Sequence, residues 1–331
     1  MTTTVSPPPQ RVPGRPRRRG RTTDRGFNRV FRWIAVGAGV LILAVLAAVA
    51  VFLLQQAWPA LTAGSDELAA SVPRYPEDTS LLEYVGPLVF GTLLAAALAL
   101  AIATPVAMGI ALFISHYAPR RLAQLLGYLV DLLAAVPSVI YGLWGIFVLG
   151  PAALPVWEWL NSWFGWFPLF AGPVSPTSRV LATVSVVLAV MILPIITAVA
   201  REVFLQTPKL HEEAALALGA TRWEMVRTAV LPFGRSGVIS AAMLGLGRAL
   251  GETMAVLMIL SPGFLYSFKI LDSAQQQTIA AYIALDFPEA SGLAVNTLIA
   301  TGLVLFVITL AVNMAARAIV ARRKEFSGAN G

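Results

Sequence analysis

Residues 207–235 read TPKLHEEAALALGATRWEMVRTAVLPFGR, a polar stretch that lies between two long hydrophobic segments. Thr207 followed by Pro208 is typical of a helix start, with a hydroxyl cap and a proline at the first helical position. This helix is expected to run to Leu218. Gly219 then tolerates the left-handed backbone that often ends a helix.

The second half of the stretch predicts another helix directly after this turn. Thr221 and Glu224 have the spacing of a capping box, so the helix is expected to begin there. Pro232 is expected to stop it, because proline lacks an N–H and clashes with the preceding turn. The stretch therefore predicts two short helices joined by a tight turn outside the bilayer, a form suited to docking another protein.

The same stretch resembles the EAA loop of ABC importer permeases. The resemblance rests on Glu213-Ala214-Ala215, on Gly219 after three intervening residues, and on Leu231-Pro232, although Ala229 stands where the family has isoleucine. In that family the loop inserts into a groove on a cytoplasmic ATPase and carries its motion into the membrane. An ordinary amphipathic loop is the plainer alternative. The resemblance implies that these residues couple the chain to an ATPase: Glu213, Ala214, Ala215, Gly219, Arg222, Leu231 and Pro232.

Composition predicts a membrane protein. Hydrophobic residues make up 57% of the chain and charged residues 12%, with mean hydropathy +0.75, far from an ordinary globular domain. Pro105 is expected to kink or break the second of six hydrophobic segments. Each segment is near or above the roughly 20 residues that cross hydrocarbon as a helix. The predicted fold is therefore all-α and polytopic, with transmembrane helices at 33–54, 84–115, 122–149, 179–203, 236–260 and 292–318.

The arginines and lysines predict the orientation. With six spans and the N-terminus inside, cytoplasmic segments hold 20 of the 24 Lys and Arg, and outer segments hold only Arg74, Arg179 and Lys269. The positive-inside rule then places both termini and the 207–235 loop in the cytoplasm. The resemblance to ABC importer permeases implies that the spans lie in the inner membrane of a bacterium. The net charge of +7 then reflects topology and contact with anionic lipid rather than nucleic-acid binding.

The first thirty residues differ in composition from the rest of the chain. They are rich in proline, threonine and arginine and have little to bury, so residues 1–30 are predicted to be a disordered cytoplasmic tail. Residues 31–331 are predicted to form the transmembrane permease domain.

The sequence lacks the motifs of a chain that hydrolyses ATP. A phosphate-binding Walker loop needs a lysine after glycine, and none of the three lysines follows one. No cysteine is present, and the two histidines, His116 and His211, do not make a clustered set of metal ligands. The chain is therefore expected to be no enzyme and to bind no cofactor or metal. If ATP and Mg²⁺ drive it, another subunit binds them.

GLGRALGETMAV, residues 245–256, places Arg248 and Glu252 inside the fifth hydrophobic segment. A charge within hydrocarbon costs at least about 2.5–3.5 kcal/mol, so such residues are expected to face a path or a partner. Their spacing predicts that the two side chains share a helix face and pair, while Gly247 and Gly251 predict close approach of another helix. The planar arginine fork suits a tetrahedral oxyanion. The alternative is an ion pair that only fixes helix packing.

AAVPSVIYGLWG, residues 134–145, predicts an interrupted helix in the third segment. Pro137 opens a gap in the hydrogen bonds, and Ser138 can satisfy a local carbonyl; interrupted helices often line paths in transporters. A kink that serves packing is an equal alternative for any one residue. Asp131 belongs either to a path or to the cytoplasmic interface. An interfacial aromatic belt is predicted from Trp157, Trp159, Trp163, Phe164, Trp166 and Phe167.

These motifs together resemble those of the permeases of the bacterial phosphate-specific transport (Pst) system, which belong to the MetI-like ABC importer permeases. Residues 245–256 are similar to the fifth-span motif of the PstC and PstA permeases, and residues 134–145 to the third-span motif of the PstC side. TIAAYIALDFPEASG, residues 278–292, is similar to the region before the last span. The resemblance covers roughly residues 85–315.

The resemblance implies a permease subunit for import of inorganic phosphate. It places Arg248 and Glu252 on the route of phosphate, and Ser138 lies in the matching third-span motif. The implied partners are a PstA-type permease, a PstB-type ATPase dimer and a PstS-type extracytoplasmic phosphate-binding protein.

Two other classes of protein stay open at this stage. One is an ABC permease for molybdate, sulfate or an amino acid, which shares the EAA loop. The other is a secondary transporter that relays ions through the charged pair and needs no such loop.

Overall fold

The computed structural model describes the backbone of residues 25–324 and the surroundings of side chains at 30–318. The tail predicted over residues 1–30 lies outside the described residues, except for its last six residues, which are helical. Three five-residue π-helical segments, Phe113–Tyr117, Gly145–Leu149 and Val226–Val230, interrupt the α-helices. Those helices are α1 Arg25–Thr62, α2 Ser65–Ser71, α3 Leu81–Leu112, α4 Arg120–Ala134, α5 Ser138–Trp144, α6 Gly150–Phe164, α7 Leu181–Leu205, α8 Lys209–Ala217, α9 Arg222–Met225, α10 Leu231–Leu250, α11 Met254–Ile259, α12 Ile279–Asp286 and α13 Leu293–Lys324.

The chain divides after Phe52 into two units, of which the first contains the beginning of α1. Within the described residues, six helical stretches are long and apolar enough to cross a membrane. The predicted all-α class with six spans is therefore confirmed. The stretches are Val30–Thr62, Leu81–Tyr117, Ser138–Phe164, Leu181–Leu205, Arg222–Leu250 and Leu293–Ala318.

Helices α3 and α7 form the centre of the second unit. One face of α3 carries a buried alanine at every fourth position from Ala95 to Ala111, and it packs against α7. Residues four apart share a helix face, and small side chains let two backbones approach closely. Helix α7 is buried along most of its length, and α10 packs against both helices. The small residues of α3 thus let α3 and α7 pack closely, and α10, which forms most of the fifth span, packs on both.

A smaller hydrophobic cluster joins the end of α7 to the 207–235 loop. Phe204 is fully buried there with Met225, Val226 and Val230. A Cβ on Gly234 would lie 2.8 Å from the Phe204 ring, so glycine permits α10 to approach α7 at this point. The loop is therefore packed at its base on the two central helices.

The predicted third span is displaced along the chain. The prediction was 122–149, whereas the structure has the separate helix α4, a break at Ala135–Pro137, and a span over Ser138–Phe164. The break follows from Pro137, which cannot donate the next helical hydrogen bond. Asp131 lies exposed on α4, outside the span. Its position does not support a path role.

Pro105 does not break α3, which runs unbroken to Leu112. The predicted break is therefore wrong, while the predicted kink stays a prediction. Continuous packing of α3 on α7 holds the helix across the one hydrogen bond that proline removes, as neighbouring helices do in other membrane bundles.

The predicted aromatic belt is wrong for Trp157, and for its exposed members it stays a prediction. Trp163 and Trp166 are 70% and 79% exposed, as an interfacial ring should be. Trp157 is buried instead, and its indole N–H donates to the Thr183 hydroxyl across 3.2 Å. This residue packs α6 against α7.

Candidate functional site

The fifth hydrophobic segment is broken at the site of its charged residues. Helix α10 ends at Leu250 with Gly251 as its C-cap, and α11 begins only at Met254. Glu252 lies in the gap, 8% exposed, and its Oε1 accepts a hydrogen bond from the backbone N–H of Ala255 across 3.1 Å. This carboxylate therefore satisfies a free N–H in the first turn of α11.

The predicted pair of Arg248 and Glu252 is wrong. No salt bridge joins the two side chains, although both lie within the part of the chain whose side chains are described. The prediction assumed an unbroken helix, in which residues four apart share a face. Because α10 ends between them, that geometry is lost. The alternative of an ion pair that fixes helix packing fails for the same reason.

Arg248 lies half-buried in the last turn of α10 without a carboxylate partner. Its Nε is buried and makes no hydrogen bond within the described protein. An unpaired buried donor costs about 1–3 kcal/mol, so it is a group that an external acceptor would satisfy. The position at a helix C-terminus partly stabilises the cation. Arg248 is therefore a cation in the last turn of α10 with a buried Nε–H that no group of the described protein accepts.

Ser138 starts α5 immediately after the Ala135–Pro137 break. Helix α5 packs on α11, and a Cβ on Gly142 would lie 3.0 Å from the Cα of Ala255. Further along both helices Gly145 faces Ile259, so the two helices run parallel. One turn back from Gly142, Ser138 lies at the level of the gap in the fifth segment. The structure thus brings two helix breaks to one level.

No helix of the described chain approaches Gly247 and Gly251 closely, so the predicted approach of another helix there stays a prediction for a partner chain. A Cβ on Gly247 would meet nothing within 4 Å, and one on Gly251 would meet only the Gly247 carbonyl oxygen at 3.7 Å. Tight contacts of α10 lie elsewhere along the helix, for example at Gly245, where a Cβ would lie 2.8 Å from Ile196. The face next to Arg248 is therefore open within the described chain.

The 207–235 loop has the predicted turn. Gly219 adopts φ +88°, a backbone conformation that favours glycine. The capping box at the start of α9 is confirmed: the Thr221 N–H donates to Glu224 Oε2 across 2.7 Å, and the Glu224 N–H donates to the Thr221 hydroxyl across 3.3 Å. The turn therefore joins the short helix α8 to α9, which continues into the fifth span and is not a second short helix as predicted.

Two boundary predictions for this loop are wrong. Pro208, not Thr207, caps α8, and the Thr207 side chain is buried. Pro232 does not stop the second helix, because it lies in the first turn of α10, where no N–H is needed. The π-helical segment Val226–Val230 widens the helix just before it and joins α9 to α10.

Most of the predicted coupling residues are exposed on the loop. Glu213, Ala214, Gly219, Arg222 and Pro232 are exposed. Ala215 and Leu231 pack instead against the cluster around Phe204 and hold the loop in place. Exposed apolar side chains surround the polar ones, and an exposed apolar surface marks a contact with another protein or with the membrane. These are Leu210, Leu216, Leu218, Trp223 and Phe233.

A contact that sequence reasoning did not find ties the loop to α3. His116, in the π-helical segment at the end of α3, has Nε2 3.5 Å from Glu212 Oε1 on α8. The other ring nitrogen, Nδ1, lies 2.7 Å from the Ser115 hydroxyl. The two residues lie far apart in sequence, so no motif spacing could have indicated this link.

No set of three or more His, Asp or Glu residues that could hold a metal ion occurs within the described chain. His116 is tied to the loop, while His211 is exposed on α8. Neither histidine lies at the break in the fifth segment, and the polar groups of the candidate site are Arg248, Glu252 and Ser138.

Comparison with known proteins identifies the family. Residues 103–325 match the family described as binding-protein-dependent transport system inner membrane component. Over 313 residues the chain is 48% identical to the phosphate transport system permease protein PstC 2 of Mycobacterium tuberculosis, with 92% of this chain and 93% of the relative covered. The chain belongs to the PstC family. A PstC-family protein is a multi-pass permease subunit of an ABC importer, in which a partner ATPase handles ATP.

Solved structures support the fold of this PstC-family chain. An inward-facing MetNI methionine ABC transporter matches with TM-score 0.54 at 17% identity, covering 72% of this chain and 95% of that chain. A bacterial alginate ABC transporter in complex with a pentasaccharide-bound periplasmic protein matches with TM-score 0.58 at 18% identity, covering 90% and 98%. The predicted MetI-like permease fold is therefore confirmed.

Proposed function

We propose that the chain is the permease subunit of an ATP-driven importer of inorganic phosphate and forms the translocation path with a second permease. The observation that carries the proposal is Arg248, a half-buried guanidinium with an unpartnered Nε at a break in a membrane span. The phosphate transport permeases to which the chain is similar support the choice of anion.

In this proposal Arg248 binds the oxyanion as it crosses the span. The guanidinium donates directed hydrogen bonds that match tetrahedral phosphate oxygens, and charge-assisted bonds of this kind are about twice as strong as neutral ones. Because Nε makes no bond within the described protein, phosphate breaks no internal contact when it binds. Glu252 caps α11 and so stabilises the start of that helix after the gap at residues 251–253. Ser138 offers a hydroxyl at the level of this gap.

The 207–235 loop couples the permease to a separate ATPase. Its exposed Glu213, Gly219 and Arg222 form the docking surface together with the apolar side chains around them. Closure of the ATPase moves the loop, and the cluster around Phe204 carries that movement to α7 and α10. The helix breaks then let the ends of the spans reorient, and hydrolysis resets the bundle.

The proposed partners complete this cycle. They are a PstA-type permease, which covers the open face near Gly247, a PstB-type ATPase dimer at the loop, and a PstS-type extracytoplasmic protein that delivers phosphate. ATP and Mg²⁺ bind to the ATPase. The solved alginate transporter with its periplasmic protein has the same fold and supports an arrangement of this kind.

Uptake of radiolabelled phosphate tests the proposed function. Co-expressed with its three partners in a strain without other phosphate importers, the chain should restore ATP-dependent uptake. Excess unlabelled sulfate or molybdate should leave uptake unchanged. Uptake should also persist when the proton gradient is collapsed at constant ATP. Restored uptake of sulfate or molybdate in place of phosphate contradicts the choice of substrate, and loss of uptake with the gradient contradicts ATP coupling.

Cysteine labelling tests the proposed orientation, with both termini and the loop in the cytoplasm. The chain contains no cysteine, so single replacements give unambiguous signals. Arg222→Cys and Glu77→Cys both change exposed residues. In intact cells a membrane-impermeant maleimide should label position 77 and should label position 222 only after the cells are opened. The reverse pattern contradicts the orientation.

A further inference from the structure

A small polar cavity lies between the segment after α2 and the start of α13. Its volume is about 130 Å³, and its polar lining comes from Arg74, Tyr282, Asp286, Glu289 and Ser291. Apolar atoms of Val72 and Leu298 form part of its wall. In the proposed orientation this cavity, the outer pocket, opens on the extracytoplasmic side.

Asp286 is the central group of the outer pocket. Its side chain is 16% exposed, and Oδ1 lies 3.6 Å from Nη1 of Arg74, while Oδ2 is buried without a hydrogen-bond partner. Tyr282 lies beside it, fully buried, with its hydroxyl 2.7 Å from that of Tyr84. Burial raises the pKa of Tyr282 well above its usual range, and the charge of Asp286 adds to this. The phenol therefore stays protonated, and the negative charge of the pocket belongs to Asp286 and the exposed Glu289.

Arg74 covers the pocket loosely. Its side chain is 62% exposed, and its contact with Asp286 is long for a salt bridge. Its backbone adopts φ +64°, a conformation that is uncommon outside glycine, asparagine and aspartate. Asp286 is mostly buried and would be left uncompensated without a cation, so Arg74 can leave the carboxylate only when another cation takes its place.

The surrounding surface is acidic. The three segments that face outside in the proposed orientation, 63–80, 165–180 and 260–292, contain seven carboxylates and three cations. Complementary charge steers association and fixes register between proteins. A protein that docks on this surface is therefore expected to present basic residues.

We propose that the outer pocket receives a lysine or arginine side chain of the extracytoplasmic binding protein, which displaces Arg74 from Asp286. The inference rests on the proposed function. The pocket has room for one long side chain; Val72 and Leu298 contact its methylene groups, and Asp286 and Glu289 accept hydrogen bonds from its charged end. Asp286 lies at the end of α12, which packs against α11 and α13. Docking at the pocket is therefore linked through α12 to α11, the helix that Glu252 caps.

Charge reversal at the rim of the pocket tests the inference. Glu289→Lys adds a cation at the pocket, and Glu67→Lys makes the same charge change at an exposed residue of α2 outside it. The measurement is the Kd of the phosphate-loaded PstS-type protein for the assembled transporter in nanodiscs. Glu289→Lys should weaken binding by roughly tenfold, while Glu67→Lys should change it by less than about twofold, as expected for a rim charge. Equal effects of the two changes contradict a specific pocket.

Arg74→Gln should act in the opposite direction. It removes the cation that competes for Asp286, so binding should tighten by roughly two- to fivefold, the range of an exposed ion pair. Weaker binding in this variant overturns the displacement of Arg74. Both variants must show wild-type basal ATP hydrolysis, which verifies assembly. If the wild-type transporter gains no ATP hydrolysis from the binding protein, the proposed function fails; if it does and Glu289→Lys binds normally, only the pocket inference fails.

Discussion

Arg248→Gln should lower phosphate uptake by at least ~100-fold while the transporter still assembles. The change removes a bidentate donor whose charge-assisted hydrogen bonds contribute about 1.5–3 kcal/mol each, and 1.4 kcal/mol corresponds to a factor of ten. Glutamine keeps most of the length of the side chain and lies in a half-buried setting without a carboxylate partner, so the fold should tolerate it. Radiolabelled phosphate uptake, normalised to membrane-inserted protein, measures the effect.

Matched variants separate an anion-binding role of Arg248 from a structural one. Arg248→Lys keeps the charge but loses the planar fork, so it should retain partial uptake. Glu252→Gln keeps a side-chain oxygen that can accept from the Ala255 N–H, so it should be mild. If the two residues formed only a packing pair, an apolar pair could replace them. Because they do not pair, the double variant Arg248→Met with Glu252→Leu should transport no better than Arg248→Gln. Near-normal uptake by Arg248→Gln, or by the double variant, would remove Arg248 from the proposed substrate path.

Gly219→Val should uncouple the permease from its ATPase. At φ +88° an L-residue costs about 1–2 kcal/mol, and a β-branched one more, so the turn between α8 and α9 should rearrange. A Cβ at this position meets nothing within 4 Å, so the effect is conformational and not a clash. ATP hydrolysis stimulated by the binding protein should fall by ~10-fold or more, since each 1.4 kcal/mol corresponds to a factor of ten. The variant should insert into the membrane in normal amounts.

Gly219→Asn is the matched control for this prediction. Asparagine is larger than alanine but adopts the left-handed region several-fold more often than other residues. It should therefore keep most of the stimulated ATP hydrolysis. If valine and asparagine have equal effects, or if valine has none, the turn geometry does not control coupling.

Sequence reasoning succeeded where the controlling interactions are local. The capping box of Thr221 and Glu224 and the left-handed turn at Gly219 depend on residues within a few positions of each other, and both were predicted correctly. The number of spans followed from the hydropathy of long apolar runs. The mean hydropathy of such a run depends on about twenty residues and hardly changes with any one of them. Local chemistry and total hydrophobicity therefore gave the class of the fold and the turn within the 207–235 loop.

Sequence reasoning failed where neighbouring helices decide the outcome. The assumed pair of Arg248 and Glu252 requires a helix that continues past Gly251, whereas the structure restarts the helix as α11 against the small face of α5 at Gly142. The third span was displaced because hydropathy alone did not separate α4 from the helix that follows Pro137. These results depend on packing partners that no single segment specifies.

The position of Arg248 also bears on the electrical work of import. An inside-negative membrane potential opposes an entering anion by about 2.3 kcal/mol per elementary charge for each 100 mV. A fixed cation within the span lowers the electrostatic barrier that the anion meets on the way, but it is the same before and after each passage. It therefore accelerates transport in both directions and cannot by itself concentrate phosphate inside the cell. In the proposed cycle the direction of flux comes from the loop that docks the ATPase, so a permease with an intact Arg248 and a disabled loop should not accumulate phosphate inside the cell.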